Sequence, residues 1–375
     1  MDILVKLEKA INNNTLTDEE EKLLNQCLKI TSCYRKNKIK YGNFLKCYMC
    51  DAHANEVMCD RCHRINLQKR EATYNLTGKV AVVTGGRIKI GYYTALYLLR
   101  YGATVVITTR FVDDAHKRYA KEADFEVWRE RLFVVQCDFL YLSRVDKFIN
   151  WLKLKFTHID YLVNNAAQTL ARPKEFYNYL SGGDSNKRVG NGKKYEVTNY
   201  QRFFPVGQLD EHHQQIDLRP SNSFVESIEE IKVPELVDVM TINCVVPFYI
   251  IQQLIPLLTI NTNKDTATDF SYIINASSME GKFNRELKTH MHPHTNMAKA
   301  SLNMITRTCG AHLKKNNGII LVSVDTGWNT IEEPLSYHLK SPIDCIDGAV
   351  RLLDPICNNL TTAGVFYKDF CKTSW

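Results

Sequence analysis

Short apolar runs rich in β-branched residues alternate with amphipathic stretches along most of the chain. Six of these runs have the length of strands and are largely apolar on both faces: 80–84, 104–109, 132–136, 161–166, 272–278 and 318–324. Between them, apolar residues recur with helical spacing, for example in 92–101, 143–156 and 296–313. Strands that are apolar on both faces are typical of a parallel sheet covered by helices on its two sides. The pattern therefore predicts an α/β, Rossmann-type fold with a doubly wound parallel sheet over residues 76–375.

Two parts of the chain depart from this alternation. Residues 1–75 form an N-terminal extension, and its first 46 residues carry two short amphipathic patterns, the second opening at Thr17 with acidic residues in its first turn. Residues 172–232 are polar, rich in Gly and Asn, and too long for an ordinary connection. We expect a helical extension at the N-terminus, and a lid, an interaction arm or a partly disordered insertion at 172–232.

Composition and charge fit a globular protein with a sizeable core. Of the 375 residues, 45% are hydrophobic and 24% are charged, which is ordinary usage. The net charge of +7 is mild, and the Lys and Arg residues are scattered among acidic ones. A polyanionic small ligand such as a dinucleotide phosphate accounts for this excess, so nucleic acid is not expected as a partner.

The apolar pattern does not indicate secretion or a membrane span. Charged and Asn residues interrupt the first stretch of the chain, unlike a secretory signal. The longest apolar stretch, 247–260, is broken by Gln252, Gln253 and Pro256, and it predicts a buried helix. We therefore expect a cytoplasmic protein without a membrane partner.

Four of the twelve cysteines form two C-x-x-C pairs separated by eight residues: Cys47, Cys50, Cys59 and Cys62. Each pair brings two thiolates to one point, and two pairs complete a tetrahedral Zn²⁺ shell. A reducing compartment makes a disulfide framework rare. We predict a structural zinc knuckle in the N-terminal extension. Reduced free thiols or a redox pair are the alternatives, and His53 or His63 could replace one ligand.

The first strand of the predicted sheet runs directly into a glycine-rich loop and then into a helix that begins near Tyr92. This arrangement places backbone N–H groups and the positive end of a helix dipole at one point, which suits a pyrophosphate. Gly85 allows the tight turn, and Gly91 lets the helix pack closely on the sheet. The candidate cofactor-binding residues of the loop are Thr84, Gly85, Arg87, Ile90 and Gly91. A purely structural strand-to-helix turn is the alternative.

The second strand ends in Thr108-Thr109-Arg110, without a carboxylate at its tip. Sites specific for NAD usually place an acidic residue there for the ribose 2′-hydroxyl, whereas a cation accommodates a 2′-phosphate. Arg110, together with Arg87 in the glycine loop, therefore favours NADP(H), with NAD as the alternative. A solvated surface arginine is the other interpretation of either residue.

From 76 to 375 the chain resembles the short-chain dehydrogenases/reductases in several ordered motifs. The loop TGGRIKIG matches the family's T-G-x-x-x-G-x-G, and Asn164-Asn165-Ala166-Ala167 matches its N-N-A-G. Asp138 stands where the family contacts adenine, and Gly327 lies at the place of its final cofactor loop. Three positions of the family's catalytic tetrad hold the expected residue: Asn243, Ser278 and Lys299.

The resemblance implies a nicotinamide cofactor, a small carbonyl or alcohol substrate, and dimers or tetramers formed through helices around 234–258 and 296–313. It implies that Ser278 polarises the substrate oxygen, that Lys299 binds ribose and sets the local potential, and that Asn243 holds a proton-relay water. The further cofactor contacts that it implies come from Asp138, Asn165, Ala166 and Gly327.

Two positions depart from the family pattern. The tyrosine expected four residues before Lys299 is replaced by Thr295, whose aliphatic hydroxyl is far less acidic than a phenol. Lys89 replaces the second glycine of the loop, where its Cβ would crowd a pyrophosphate and its ammonium could contact one. Three solutions to the missing tyrosine stay open. A histidine could substitute, a Tyr or His of the insertion could reach in, or the site could bind nucleotide without redox turnover. The candidate histidines are His290, His292 and His294.

The preferred hypothesis is an NADP(H)-dependent oxidoreductase that moves hydride between the nicotinamide and a carbonyl or alcohol carbon. Thr295 or a nearby His would complete proton transfer. The second hypothesis is a cofactor-binding regulator or scaffold that engages a partner through the zinc knuckle and the insertion. A nucleic-acid-associated zinc protein is a third and weaker hypothesis.

Overall fold

The computed structural model describes residues 45–180, 200–259, 270–285, 288–334 and 341–375. The two amphipathic patterns at the N-terminus lie outside the described residues, apart from Leu45 and Lys46. The chain divides into two compact units, and the change from one to the other falls between Ala72 and Thr73. Asn284–His290 belongs with the first unit.

The described part of the first unit is a short hairpin followed by one helix. Strand β1 (Leu45–Lys46) pairs antiparallel with β2 (His53–Ala54), and helix α1 covers Asp60–Glu71. Cys59 is the N-cap residue of α1, so the second C-x-x-C pair lies in the first turn of this helix. The unit is too small for a large apolar core, and its buried cluster is built mainly of cysteine and methionine side chains.

The second unit is built on a sheet of eight strands. The strands are β3 (Val80–Val83), β4 (Thr104–Thr109), β5 (Leu132–Gln136), β6 (Tyr161–Asn164), β7 (Ser271–Ser277), β8 (Ile319–Asp325), β9 (Phe366–Lys368) and β10 (Cys371–Thr373). Their order is β10-β9-β8-β7-β6-β3-β4-β5, and every pair is parallel except β9 with β10. The six predicted strands and the doubly wound parallel sheet are confirmed. The β9–β10 hairpin was not predicted, because strands of three residues carry too short a pattern.

Helices cover both faces of the sheet. They are α2 (Lys89–Arg100), α3 (Val112–Tyr119), α4 (Phe125–Trp128), α5 (Leu142–Lys155), α6 (Tyr200–Phe203), α7 (Val233–Met240), α8 (Val246–Leu258), α9 (Pro293–Asn317) and α10 (Cys345–Cys357). Helices α2 and α10 pack on one face, and α5, α8 and α9 on the other. Helix α2 begins at Lys89, three residues before the predicted start, because Lys89 adopts a positive φ that closes the glycine loop early.

Helices α7 and α8 are joined by a π-helical turn, Thr241–Val245, into one continuous run of 26 residues. By length and composition this run could cross a membrane, and it is the one such helix among the residues described. The sequence expectation considered only 247–260 and therefore missed its length. Val246, Ile250 and Leu254 on its inner face are fully buried against the sheet, as in the core helix of a globular domain.

The described parts of the insertion, 172–180 and 200–232, carry a 3₁₀ helix (Lys174–Leu180) and α6. The rings of Phe176 and Phe204 are buried and contact each other, with their centroids 5.7 Å apart. Arg172 lies over the ring of Phe176, and Arg219 over the ring of Phe204. This small aromatic core gives the insertion internal order that its polar composition does not predict.

Candidate cofactor and active site

The strand order reverses between β3 and β6, and the loops that follow these two strands meet at this point. In open α/β sheets such a switch point is the usual place for a nucleotide. Thr84 Oγ1 accepts hydrogen bonds from Asn165 N at 3.0 Å and Ala166 N at 2.9 Å. Asn165 Nδ2 donates to the carbonyl oxygens of Thr84 at 3.0 Å and Gly85 at 3.3 Å. The structure therefore brings the glycine loop and the N-N-A-A motif together as one rigid edge.

Two glycines of the loop are required by close packing. Gly85 has a φ of +71°, and a Cβ there would lie 2.9 Å from the Ala166 Cα. A Cβ at Gly91 would lie 2.3 Å from both the Gly85 carbonyl oxygen and Asn165 Nδ2. These contacts let α2 start directly against the loop, with Ile90 half-buried beside it. The N-terminal N–H groups of α2 are thereby directed at the switch point.

Lys89 stands at the position of the loop's second glycine. Its backbone is strained there, because its φ of +55° lies in the left-handed region that favours glycine. Its Nζ lies 3.1 Å from Glu332 Oε1, and Arg172 Nη2 lies 3.2 Å from Glu332 Oε2. Burial alone would raise the pKa of Glu332, but Lys89 and Arg172 outweigh it and lower the pKa to about 2. A carboxylate from the loop after β8 therefore neutralises the ammonium of the glycine loop.

The two arginines predicted for a 2′-phosphate have different surroundings. Arg87 is buried, and its Nη1 lies 2.6 Å from Asp114 Oδ2. Arg110 is exposed at the end of β4, with its guanidinium 4.7 Å from the ring centroid of Tyr177 and 5.3 Å from that of Phe111. Arg110 is therefore exposed to solvent and held in place by two aromatic rings, whereas Arg87 is buried in an ion pair.

Two further predicted contacts lie at the ends of neighbouring strands. Asp138 follows β5 and is half-buried, and its Oδ1 accepts from Leu140 N at 3.1 Å. Gly327 follows β8 with a φ of +78°, and its N–H donates to Asp325 Oδ1 at 3.0 Å. Both therefore lie at the carboxyl edge of the sheet, the edge that also carries the glycine loop.

These residues fit a dinucleotide phosphate. The first turn of α2 contains no acidic residue, so its N–H groups face the switch point without a carboxylate of their own helix. Close packing excludes side chains at Gly85 and Gly91, and that leaves backbone alone at the place where a pyrophosphate would approach. Lys89 and Arg110 add cationic groups at two points along the same edge.

The predicted catalytic residues converge beside the switch point. Lys299 Nζ donates to the Ala276 carbonyl oxygen at 2.8 Å, two residues before Ser278. Ser278 caps a 3₁₀ turn, Met279–Gly281, and its Oγ accepts from Glu280 N at 3.3 Å. A Cβ at Gly281 would lie 2.7 Å from the carbonyl carbon of Lys299. The turn that carries Ser278 is therefore packed directly on the helix that carries Lys299.

Asn303 makes hydrogen bonds on both sides of the Ser278 turn, and it was not predicted as a site residue. Its Oδ1 accepts from Ser277 Oγ at 2.7 Å, and its Nδ2 donates to the Gly281 carbonyl oxygen at 3.1 Å. Asn303 lies one turn after Lys299 on α9 and is buried. The one sequence signal was its helical spacing of four residues from Lys299.

Asn243 lies in the π-helical turn and is buried. Its side-chain amide makes two hydrogen bonds with the backbone of Gln168: Oδ1 accepts from N at 2.7 Å, and Nδ2 donates to O at 2.8 Å. The amide therefore fixes the segment that follows the N-N-A-A motif. A water-holding role for this residue remains a prediction.

Thr295 occupies the tyrosine position and is buried, and its Oγ1 donates to the Thr169 carbonyl oxygen at 3.3 Å. The neighbouring His294 is also buried, with Nε2 3.9 Å from Glu235 Oε1. Burial lowers the pKa of His294, while Glu235 opposes the shift. His292 stacks on Phe224 with centroids 4.4 Å apart. Of the three predicted histidines, these two therefore lie inside the site region, whereas His290 belongs to the first unit.

The described parts of the insertion contact the rest of the second unit at three places. Near the glycine loop, Arg118 donates to the carbonyl oxygens of His212 and His213 at 2.8 and 2.9 Å. In the middle, Asn222 Nδ2 donates to the Glu332 carbonyl oxygen at 2.8 Å. At the catalytic helix, the ring nitrogen Nδ1 of His292 lies 2.7 Å from the Phe224 carbonyl oxygen. The described part of the insertion therefore contacts the second unit at α3, at Glu332 and at the start of the helix that carries Lys299.

The four predicted cysteine ligands lie together in the first unit. The sulfur atoms of Cys47, Cys50, Cys59 and Cys62 all lie within 4.8 Å of one another. Cys50 Sγ and Cys59 Sγ are 3.7 Å apart. Four sulfurs at about 2.3 Å from a tetrahedral zinc ion lie roughly 3.8 Å from one another, so the cluster fits this metal. Within the residues described, this cluster contains neither His53 nor His63.

Comparisons with known proteins agree with the motifs. The family model described as short chain dehydrogenase matches residues 79–181. An uncharacterized protein of Acanthamoeba polyphaga mimivirus is 31% identical over 373 residues, which cover 90% of this chain and 75% of that protein. The (+)-cis,cis-nepetalactol synthase of Nepeta racemosa is 33% identical over 91 residues, 24% of this chain and 32% of the synthase. The match to this enzyme thus spans about a third of its length.

A solved structure shows the same fold. The NADPH-bound carbonyl reductase from chicken fatty liver superposes with a TM-score of 0.57 and 18% identity, covering 82% of this chain and 98% of that one. At this level of identity the likeness concerns the backbone arrangement alone.

Proposed function

The chain belongs to the short-chain dehydrogenase/reductase superfamily, and we propose that it transfers hydride between NADP(H) and the carbonyl or alcohol carbon of a small molecule. The observation that carries the proposal is the packing of the Ser278 turn onto Lys299, next to a glycine loop built for a dinucleotide. The bound NADPH of the carbonyl reductase with the same fold supports the choice of cofactor. The tip of β4 carries Arg110 and no carboxylate, and this supports NADP(H) over NAD.

Each site residue has a role in this proposal. When bound, the cofactor supplies or accepts the hydride at its nicotinamide ring. The Ser278 hydroxyl donates a hydrogen bond to the substrate oxygen and stabilises the negative charge that develops there. Lys299 holds the ribose and contributes positive charge, and Asn243 fixes the loop through its two bonds with Gln168. The Thr295 hydroxyl donates to the Thr169 carbonyl oxygen, so an ionisable group near it completes proton transfer.

Backbone and side-chain groups of the switch point hold the cofactor. Thr84, Gly85, Ile90 and Gly91 shape the phosphate end, and Asn165 and Ala166 form the opposite wall. Asp138 contacts the adenine, and Gly327 contacts the nicotinamide end. Arg87 contributes through its buried pair with Asp114, which fixes the loop beneath the exposed Arg110.

The experiment that tests the function combines binding and turnover. Calorimetry should show one NADPH site per chain, and a panel of aldehydes and ketones should oxidise NADPH at a measurable rate. Ser278→Ala should lower kcat about 10²- to 10³-fold, because it removes one donor to the developing oxyanion. Absence of nicotinamide nucleotide binding would contradict the proposal, and Ser301→Ala on an exposed turn of α9 is the matched control.

A second candidate function is a nucleotide-binding regulator without turnover. The observation that favours it is that the Thr295 hydroxyl is already committed to the Thr169 carbonyl oxygen. NADPH binding without any turnover across the carbonyl panel, and without loss of binding in Ser278→Ala, would support this function over the first.

We propose that the Cys47, Cys50, Cys59 and Cys62 cluster binds one structural Zn²⁺ ion. The convergence of the four sulfurs supports it, because thiolates left together without a metal repel one another. Metal analysis of the purified chain should find one zinc equivalent that Cys59→Ser removes. Cys371→Ser changes an exposed cysteine outside the cluster and should keep the metal. A folded chain without bound zinc would contradict the proposal.

We also propose a homo-oligomer and a cytoplasmic location. Exposed apolar side chains on α7, α8, α9 and the π-helical turn support an oligomer that forms through these helices: Val237, Val245, Phe248, Met297 and Met304. The absence of disulfides among the described cysteines supports a reducing compartment. Fractionation of cells that express the chain tests the location.

A further inference from the structure

The proton for the substrate oxygen has no obvious source in this site. The residue one turn before Lys299 is Thr295, and its hydroxyl donates to the Thr169 carbonyl oxygen. An aliphatic hydroxyl is far too weak an acid to release a proton near neutral pH. The chain contains no tyrosine between Tyr272 and Lys299 that could take the same place on this helix. Another ionisable group must therefore supply the proton.

Lys299 contacts the chain on both sides of Ser278. Its Nζ donates to the Ala276 carbonyl oxygen at 2.8 Å, which anchors the ammonium two residues before Ser278. The backbone of Gly281, three residues after Ser278, packs on the backbone of Lys299 itself. An ammonium carries three N–H bonds, so two remain for other acceptors once Ala276 is satisfied.

We propose that Lys299 is itself the proton donor for the substrate oxygen, in addition to any contact it makes with the cofactor ribose. The proposal rests on the proposed function. In carbonyl reduction the carbon gains a C–H bond from the hydride that NADPH supplies. The oxygen gains an O–H bond as one N–H bond of the Lys299 ammonium breaks. The lysine is left as a neutral amine and regains its proton from water, so the carbonyl becomes an alcohol with atoms and charge balanced.

The electrostatics of the site support this role. Burial lowers the pKa of Lys299 from its ordinary 10.5 to about 8, and Asp325 on β8 opposes the shift. Asp325 also acts on Lys282, and two further carboxylates near this end of α9 lie close to histidines. Glu280 lies 3.4 Å from His292, and Glu235 lies 3.9 Å from His294. A lysine with a pKa near the operating pH is a suitable general acid.

The two buried histidines are placed less well for the same task. His294 directs Nε2 toward Glu235 on α7, and adjacent positions on a helix point in different directions. His292 is held by Phe224 of the insertion through ring stacking and through Nδ1. These contacts place His294 beside α7 and His292 beside the insertion.

Lys299→Arg separates proton donation from positive charge, because an arginine keeps the charge and is not deprotonated in proteins. We expect NADPH affinity, measured by calorimetry, to stay within about threefold, while kcat for carbonyl reduction falls at least 10²-fold. Thr308→Ala, on an exposed part of the same helix, is the matched control and should keep wild-type kcat, whereas His294→Gln tests the other candidate donor and should keep at least a third of it. Lys299→Arg turnover above a tenth of wild type would overturn the proposal, as would a loss confined to His294→Gln.

Two further measurements follow the titration of Lys299 itself. The kcat for reduction should fall as pH rises through about 8, since the amine loses the proton that it must donate. In cofactor-free protein with ¹³Cε-labelled lysine, one lysine resonance should titrate near pH 8 and be absent from Lys299→Arg. Titration of Lys299 at its ordinary value of 10.5 would overturn the proposal. Absence of wild-type turnover would overturn the proposed function as well, whereas NADPH turnover retained in Lys299→Arg would overturn this assignment alone.

Discussion

Lys89 and Glu332 form an ion pair, with Nζ 3.1 Å from Oε1, that ties the glycine loop to the segment after β8. The two residues are 243 positions apart, and Arg172 adds a second cation to the same carboxylate at 3.2 Å. Glu332 thus neutralises the ammonium of Lys89, which stands where the family motif has a glycine. A bound pyrophosphate and this carboxylate would compete for the same cation, because both are anions that seek its N–H groups.

Glu332→Gln should bind NADPH more tightly while the cofactor-free protein becomes less stable. Loss of the carboxylate frees Lys89 for a phosphate, which we expect to lower the Kd by about 3- to 10-fold, or roughly 1 kcal/mol. The same change should cost about 1–3 kcal/mol of unfolding free energy, because charge-assisted bonds are lost. Calorimetry and urea unfolding measure the two effects. Glu211→Gln, an exposed neighbour in the insertion, is the control, and weaker NADPH binding by Glu332→Gln would contradict the competition.

The same ion pair predicts a dependence of stability on acid. The pKa of Glu332 is about 2, below its ordinary 4.5, because Lys89 and Arg172 outweigh the effect of burial. A lowered pKa stabilises the folded state fully above pH 4.5, and the contribution is lost as pH falls from there toward 2. The difference in unfolding free energy between wild type and Glu332→Gln should therefore narrow as pH is lowered from 6 to 3, measured by urea denaturation about every half unit. A constant difference would show that the charge of Glu332 is not what stabilises the fold.

Cofactor choice should depend on Arg110 and not directly on Arg87. Arg110 is exposed and stacked on Tyr177, so Arg110→Ala removes a cation available to a 2′-phosphate. We expect NADPH affinity to fall about 10- to 100-fold, the value of one or two charge-assisted bonds, with NADH affinity unchanged. Arg87→Ala should instead lower the melting temperature, because it removes the buried arginine of the pair and leaves Asp114 with Arg118 alone. Equal losses for NADPH and NADH in Arg110→Ala would contradict a 2′-phosphate contact.

The strands and the glycine loop could be predicted because their signals are local. Each of β3 to β8 is a short apolar run, and burial on both faces requires that composition wherever the strand lies in the sheet. Gly85 and Gly91 were predictable for the same reason, since the turn excludes a Cβ at both positions. The start of α2 was misplaced by three residues, because the positive φ of Lys89 is not encoded by its side chain.

The partners of the site residues could not be predicted, because they depend on packing between distant segments. Glu332 lies in a polar loop with no motif, and its role follows from the position of Lys89 across the site. The sequence indicates Asn303 only through its spacing from Lys299. Its hydrogen bonds with Ser277 and Gly281, on either side of Ser278, form only when α9 packs on β7. The insertion was even harder to interpret, since its order rests on contacts with Arg118 and His292 of the main domain.

Asn303 should act as a positioning residue for Ser278. Asn303→Ala leaves Ser277 Oγ and the Gly281 carbonyl without these buried partners, which we expect to cost about 1–3 kcal/mol of stability. The shifted Ser278 turn should lower kcat roughly tenfold while KM for the carbonyl and the Kd for NADPH stay close to wild type, because a loss confined to kcat marks an interaction of the transition state. A fall in stability with kcat unchanged would assign Asn303 to the fold alone. Ser301→Ala, on an exposed part of the same helix, should alter neither quantity.

The apolar surface on α7, α8 and α9 predicts where copies of the chain associate. Phe248 is 48% exposed on α8 and Met304 is 57% exposed on α9, and these helices pack side by side. Apolar side chains exposed over two adjacent helices are typical of a surface that another protein chain covers. Phe248→Glu places a charge in that surface, so burial of an unpaired carboxylate should dissociate the oligomer.

Sedimentation of the wild-type chain should give a dimer or tetramer, and Phe248→Glu should sediment as a monomer with its melting curve otherwise cooperative. Val127→Glu is the control, because Val127 is 77% exposed on α4, outside α7, α8 and α9. This variant should keep the wild-type mass. A monomeric wild-type chain would contradict association through these helices, and an oligomer that survives Phe248→Glu but not Val127→Glu would place the interface near α4 instead. NADPH binding by the monomeric variant would further show that the switch point is complete within one chain, as expected from the contacts of Thr84 and Asn165.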